Sequence, residues 1–141
     1  MKTTPIIDRL KAEVSAFAGR VAGSATLEGA ATADLAVPHA FVLALGDEAG
    51  ADDILGTPTV QAVSERFRVI VAVSNASDER GQTANDQVDD LRAAILRALV
   101  GYEAGGLYTA LEYLGSTLVD IDRARMWWQF DFLTQTSSDL V

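Results

Sequence analysis

The chain has 141 residues, 49% of them hydrophobic, and carries 20 acidic against 11 basic side chains for a formal net charge of −9. Its length suits one domain spanning residues 1–141, with a core large enough to need no staple, and the absence of cysteine removes a disulfide framework, a thiolate metal site and a cysteine nucleophile. The negative field disfavours tight non-specific binding to DNA or RNA, and short, interrupted apolar runs with no basic-then-apolar leader point away from a secreted or membrane-spanning protein.

The first predicted element is a helix. Ile6, Leu10, Val14 and Phe17 form one apolar stripe, with Thr4 placed to cap it, Pro5 suited to the first helical position, and Gly19 and Gly23 marking its end. Residues 19–62 are rich in Gly and Ala, and their best strand is Pro38 to Leu45. After it, Gly46 to Pro58 is sparse in apolar residues and carries Asp47, Glu48, Asp52 and Asp53. The expectation is an exposed loop joining two antiparallel strands.

Glu65 to Ser74 reads as a strand with Phe67, Val69, Val71 and Val73 on one face and Arg66, Arg68, Ile70 and Ala72 on the other. A polar loop from Asn75 to Gln82 leads to a second helix beginning near Thr83, with Asp86 as a capping-box partner. Val88, Leu91, Ile95 and Leu99 make its stripe, Asp86, Asp89 and Asp90 favour its N-terminal dipole, and Gly101 stops it.

Beyond Gly105-Gly106, Thr109 to Leu114 is expected as a strand, Gly115-Ser116 as a tight turn and Thr117 to Ile121 as its partner. Then comes Arg123 to Phe132, which holds both tryptophans. Met126, Trp128, Phe130 and Phe132 fall at spacing two on a core face, with Arg125, Trp127, Gln129 and Asp131 between them on a mixed face. The tail from Thr134 to Val141 is polar and expected to fray.

This element order predicts an α+β protein, a two-layer α/β sandwich in which two amphipathic helices cover one face of a mainly antiparallel sheet of about 4–6 strands. Signals for catalysis are thin. His39 is the single histidine, so a multi-histidine metal site is excluded, and no phosphate-binding glycine loop or nucleophile elbow is present. Asp120 and Asp122 lie beside Arg123 and Arg125, and ion pairing fits them better than a divalent cation, which needs more oxygen ligands. No cofactor is implied. The mixed sheet face is more suggestive, because Arg66, Arg68, Arg125 and Trp127 combine arginine with an aromatic as interface cores do.

Three stretches carry a resemblance. Pro38 to Leu43, Phe67 to Val73 followed by Asp86 to Ile95, and Leu111 to Gly115 followed by Asp120 to Phe132 resemble segments of bacteriophage tail terminator proteins of long-tailed phages, over about residues 5–134. The resemblance implies a virion structural protein rather than an enzyme, assembled in the host cytoplasm and carried in the tail-neck region. It further implies a homo-oligomeric ring, usually a hexamer, that caps the tail tube protein, ends tail growth and offers a head-tail joining surface to a head completion or neck protein. DNA would pass through the lumen without specific binding, a passage that a negative wall favours. On this view Arg66, Arg68, Arg125 and Trp127 belong to a subunit or partner interface, and Asp47, Glu48, Asp52 and Asp53 face tube, neck or lumen. The alternatives are another neck or connector protein, or a cellular α+β protein that binds a small molecule.

Overall fold

Five strands form one sheet in the order β1-β2-β3-β5-β4. The computed structural model describes residues 1–24, 35–50, 60–75, 82–105, 108–121 and 124–138. The elements are α1 (Thr4–Glu13), a 3₁₀ turn (Ser15–Phe17), β1 (Val21–Gly23), β2 (His39–Ala49), β3 (Ala62–Ser74), α2 (Gln82–Leu99), β4 (Glu112–Ile121) and β5 (Arg125–Ser137). β2, β3, β5 and β4 pair antiparallel in that order, and only the short β1 runs parallel, to β2. The α+β sandwich expected from the sequence is therefore the architecture found.

Both helices pack on one face. Ile6, Leu10, Val14 and Phe17 from α1 and its 3₁₀ extension join Val88, Leu91, Ile95 and Leu99 of α2, all buried, over Ala40, Val42, Phe67, Val69, Val71, Val73, Met126, Phe130 and Phe132. Each large aliphatic or aromatic side chain so enclosed contributes about 1.5–3 kcal/mol. Arg9 ties the helices together, its Nε donating to the Ala98 carbonyl at 3.0 Å while its guanidinium lies 4.8 Å over the Tyr102 ring. Phe67 and Phe132 are direct cross-strand partners and stack at 5.1 Å.

Several local expectations are corrected. The N-cap of α1 is Thr3, without a side-chain cap bond, so Pro5 sits one position into the helix rather than first. The α-helix stops at Glu13, and Phe17 is buried through the 3₁₀ turn, not as a continuation of α1. Asp86, Asp89 and Asp90 lie past the first turn of α2, where the dipole has faded; Asp89 instead pairs with Arg92.

Gly115-Ser116 is not a turn. β4 runs unbroken through it, with Gly115 at φ +138° and register shifts between Tyr113 and Gly115 and between Leu118 and Asp120. Glycine admits that backbone, and the two bulges absorb the extra residues that mimic a hairpin in sequence. β4 also starts later than expected, at Glu112, because Ala110 makes only an isolated bridge to Glu103.

The polar tail does not fray where it was expected to. β5 continues through Thr134 and Thr136, both buried, and pairs with β3 back to Ala62. Thr134 Oγ1 donates to the Thr109 carbonyl at 2.7 Å, which satisfies a hydroxyl inside the protein. Residues 139–141 lie outside the described residues.

Candidate interaction surfaces

The side of the sheet opposite the helices carries every described member of the predicted arginine and tryptophan patch. Strand alternation places Phe41 and Leu43 of β2, Arg66, Arg68, Ile70 and Ala72 of β3, and Arg125, Trp127, Gln129 and Asp131 of β5 together there. The four candidates differ in surroundings. Arg66 is exposed and makes no ion pair among the described residues. Arg68 grips Asp131, its direct cross-strand partner, through Nε at 2.7 Å and Nη2 at 3.0 Å, and this pairing raises the Arg68 pKa. Arg125 is half-buried at the start of β5.

Trp127 is the correction. It faces away from the helices as its spacing requires, but it is only 9% exposed. A second, smaller core forms around Phe41, Ala72 and Trp127, with Ala22, Leu35, Val37, Leu43 and Ile70 packed against it. Phe41 stacks on Trp127 at 6.3 Å and on His39 at 4.5 Å. The chain entering β2 thus covers much of what a two-layer picture leaves bare, and most of the indole is used internally.

His39 ends this stack. Both ring nitrogens are buried and neither makes a well-aligned hydrogen bond among the described residues; the pKa is lowered by burial first and further by the Arg20 guanidinium, against the opposing pull of the nearby Ala36 backbone. A neutral ring stacked on Phe41 is a packing residue, in line with its reading as a strand-edge side chain. Arg20 Nε donates to the Pro38 carbonyl at 2.9 Å and holds the strand entry in place.

The acidic segment divides in two. Asp47 and Glu48 are strand residues: β2 continues to Ala49, pairing Asp47 with Glu65 and Glu48 with Ser64. The expected loop therefore does not begin at Gly46, and its first acidic residues project on a paired, exposed strand end. Asp52 and Asp53 lie outside the described residues, as do Asp122 and Arg123. Asp120 is exposed, and its Oδ1 accepts from the Ile121 amide at 2.8 Å. No cluster of three or more metal-ligating side chains occurs among the described residues, nor does a helix long and apolar enough to cross a membrane.

Two features had no clear signal in the sequence. The first is β4 itself, the outermost strand on its side of the sheet, whose Leu114, Leu118, Val119 and Ile121 are each 43–51% exposed. β4 is paired on one side only, to β5, so these side chains form an exposed apolar strip along an edge strand. The second is a buried carboxylate, Glu65, whose Oε1 lies 3.2 Å from the Met1 amino group. Burial, and then the Glu65 charge, raise the pKa of Tyr108 beside it. Two shallow grooves also open on the surface. One, of about 210 Å³, is lined by Leu45, Gly46, Asp47, Glu48, Ser64 and Arg66, and the other, of about 200 Å³, lies between α2 and β4. Both are smaller than the usual small-molecule site of roughly 300–1,000 Å³.

The sequence profile described as phage tail terminator protein matches residues 1–138. A solved chain from the virion of a native gene transfer agent particle superposes with a TM-score of 0.57 at 14% identity, covering 94% of this chain and 92% of that one. A second solved chain, 13% identical over 96% of each, gives a TM-score of 0.47. None of the curated proteins is significantly similar in sequence.

Proposed function

Because the chain belongs to the phage tail terminator family, and is thus a structural protein of phage tails, we propose that it closes into a homo-oligomeric ring, a hexamer, on the end of the tail tube. The ring stops tube growth and presents its other face to a head completion protein. The observation that carries this reading is the family match over nearly the whole chain, residues 1–138, on a fold shared with a virion chain. In this reading the protein acts by contact, without catalysis or cofactor, is assembled in the host cytoplasm and resides at the tail neck.

The net charge of −9 supports a ring whose lumen passes DNA without holding it. Asp47 and Glu48, exposed at the projecting end of β2, are proposed to face tube, neck or lumen. Arg66, Arg68 and Arg125, with the exposed rim of Trp127, are proposed as part of a subunit or partner interface. Arg66 carries most of this role, since Arg68 is engaged by Asp131 and Trp127 by Phe41.

The test is incubation of the purified protein with polymerising tail-tube protein. Tubes arrested at defined length and bearing a terminal ring are expected. Unaltered polymerisation, with binding to portal or adaptor proteins instead, assigns the chain to the neck. For the interface, Arg66→Glu with Arg125→Glu is expected to abolish arrest or head joining; tails of normal length that still join heads would remove that patch from the reading.

A further inference from the structure

The sheet has two open edges, one at each end, and both carry exposed apolar side chains. On one side β4 is paired only to β5 and presents Leu114, Leu118, Val119 and Ile121. On the other side β1 covers β2 only at Ala40, Phe41 and Val42, so that Leu43–Ala49 is paired to β3 alone among the described residues, with Leu45 43% exposed. Among the described residues neither edge has a partner strand on its outer side, and neither carries lysine or proline; each is blunted only by β-bulges, at Ala44/Gly46 on β2 and at Leu114 and Val119 on β4, and by exposed acidic side chains.

We propose that these two edges meet between neighbouring copies of this chain, with β4 of one subunit adding antiparallel to the Leu43–Ala49 segment of the next. Strand direction supports that occupant. From β2 through β3 and β5 to β4 every pairing is antiparallel, so β4 runs opposite to β2. A neighbour carried round by simple rotation keeps its β2 in the same sense, and the alternation continues across the junction unbroken. The contact is heterologous, joins two different patches and closes when the rotation closes, which leaves only the short β1 without a partner on its outer side among the described residues. An isologous β4–β4 contact would also be antiparallel, but would leave both Leu43–Ala49 segments bare.

Charge on the helix-free side offers one attraction across this docking, set against the like charge of Asp47 and Glu48 on the receiving segment. On the helix-free side, Arg66 stands one strand in from the β2 edge with no ion pair among the described residues, while β4 carries exposed Glu112 and Asp120 on that same side. The bulges at Leu114 and Val119 leave Gly115–Leu118 as the regular stretch of β4, and this is the part that would pair. The inference rests on the ring reading above and names the surfaces that form the ring.

The chain lacks cysteine, so introduced thiols report the contact without background. Single variants would be made along β4 (S116C, T117C, L118C) and along β2 (A44C, L45C, D47C), checked for an unchanged thermal transition, and oxidised both free and on polymerising tube protein. Mixtures of a β4 variant with a β2 variant are expected to give covalent dimers at one register, and chains carrying both thiols to give a ladder ending at the closed ring. Self-linking of β4 variants alone, or no linkage under either condition, overturns the proposal. Tube arrest by the reduced proteins is scored separately. Arrest without cross-links leaves the capping function standing and removes this interface; cross-links without arrest do the reverse.

Discussion

Arg68 and Asp131 face each other across β3 and β5 and share two hydrogen bonds of 2.7 and 3.0 Å, a bidentate fork on the helix-free side of the sheet. Their side chains are 29% and 25% exposed, so solvent screens the pair only in part. A double-mutant cycle with Arg68→Ala and Asp131→Ala is expected to return a coupling of about 0.5–1 kcal/mol in urea unfolding, shrinking in molar salt. Exchanging the two residues should recover much of the coupling. A coupling that salt does not touch would show that packing of the Arg68 stem, rather than charge, holds this position.

Trp127 offers a sharper contrast between contact and core. A semi-exposed surface tryptophan costs little when truncated, within about 0.5 kcal/mol. Trp127 is 9% exposed against Phe41 and Ala72, so Trp127→Ala is expected to destabilise the isolated chain by about 3–4 kcal/mol. Chemical denaturation of the unassembled protein measures this directly. A loss below 1 kcal/mol, on the order expected of a surface site, would restore Trp127 to the intersubunit surface.

What the sequence made readable follows from periodicity, and what it hid follows from pairing. Spacing two in β3 and β5 sorted Val69 from Ile70 and Phe130 from Asp131 correctly, since alternation is a local property of an extended chain. Whether a face is covered is not local. Leu35 and Val37, from the segment before β2, pack against the small cluster that holds Trp127, and nothing in the tryptophan's own neighbourhood announces them. Likewise Gly46-Asp47-Glu48 has weak strand propensity, yet it is held extended by β3, whose own far end is held by β5. The arginine patch was legible as a set of residues on one face. Its division into Arg68, gripped by Asp131, and Arg66, which has no ion pair among the described residues, required the register.

Gly115 tests the reading of β4 as one bulged strand. Its φ of +138° belongs to glycine, although a Cβ there would meet no atom within 4 Å. The cost of Gly115→Ala is therefore backbone strain alone, about 1–3 kcal/mol. Thermal unfolding should show that loss, and hydrogen exchange should show it concentrated in β4 amides. A neutral substitution would mean that the bulge relaxes into a regular ladder at no cost.

His39 gives the fold a defined pH response. Its folded-state pKa is lowered, chiefly by burial, below the ordinary value of 6.5. Above pH 6.5 the ring is neutral in both the folded and unfolded states, and it contributes no pH dependence. As pH falls through 6.5 the unfolded chain takes up a proton that the folded chain refuses, so stability declines until the folded-state pKa is reached and then levels. His39→Phe keeps a ring against Phe41 and removes two buried nitrogens that make no well-aligned hydrogen bond among the described residues. The variant is thus expected to gain on the native chain as pH drops from 7 to 5, with the difference nearly constant above neutrality. Since His39 is the only histidine, its imidazole resonances can be followed by NMR without overlap. A titration midpoint at or above 6.5 in the folded protein, or identical pH profiles for the two proteins, would show that the ring is solvated and the stack with Phe41 is not closed.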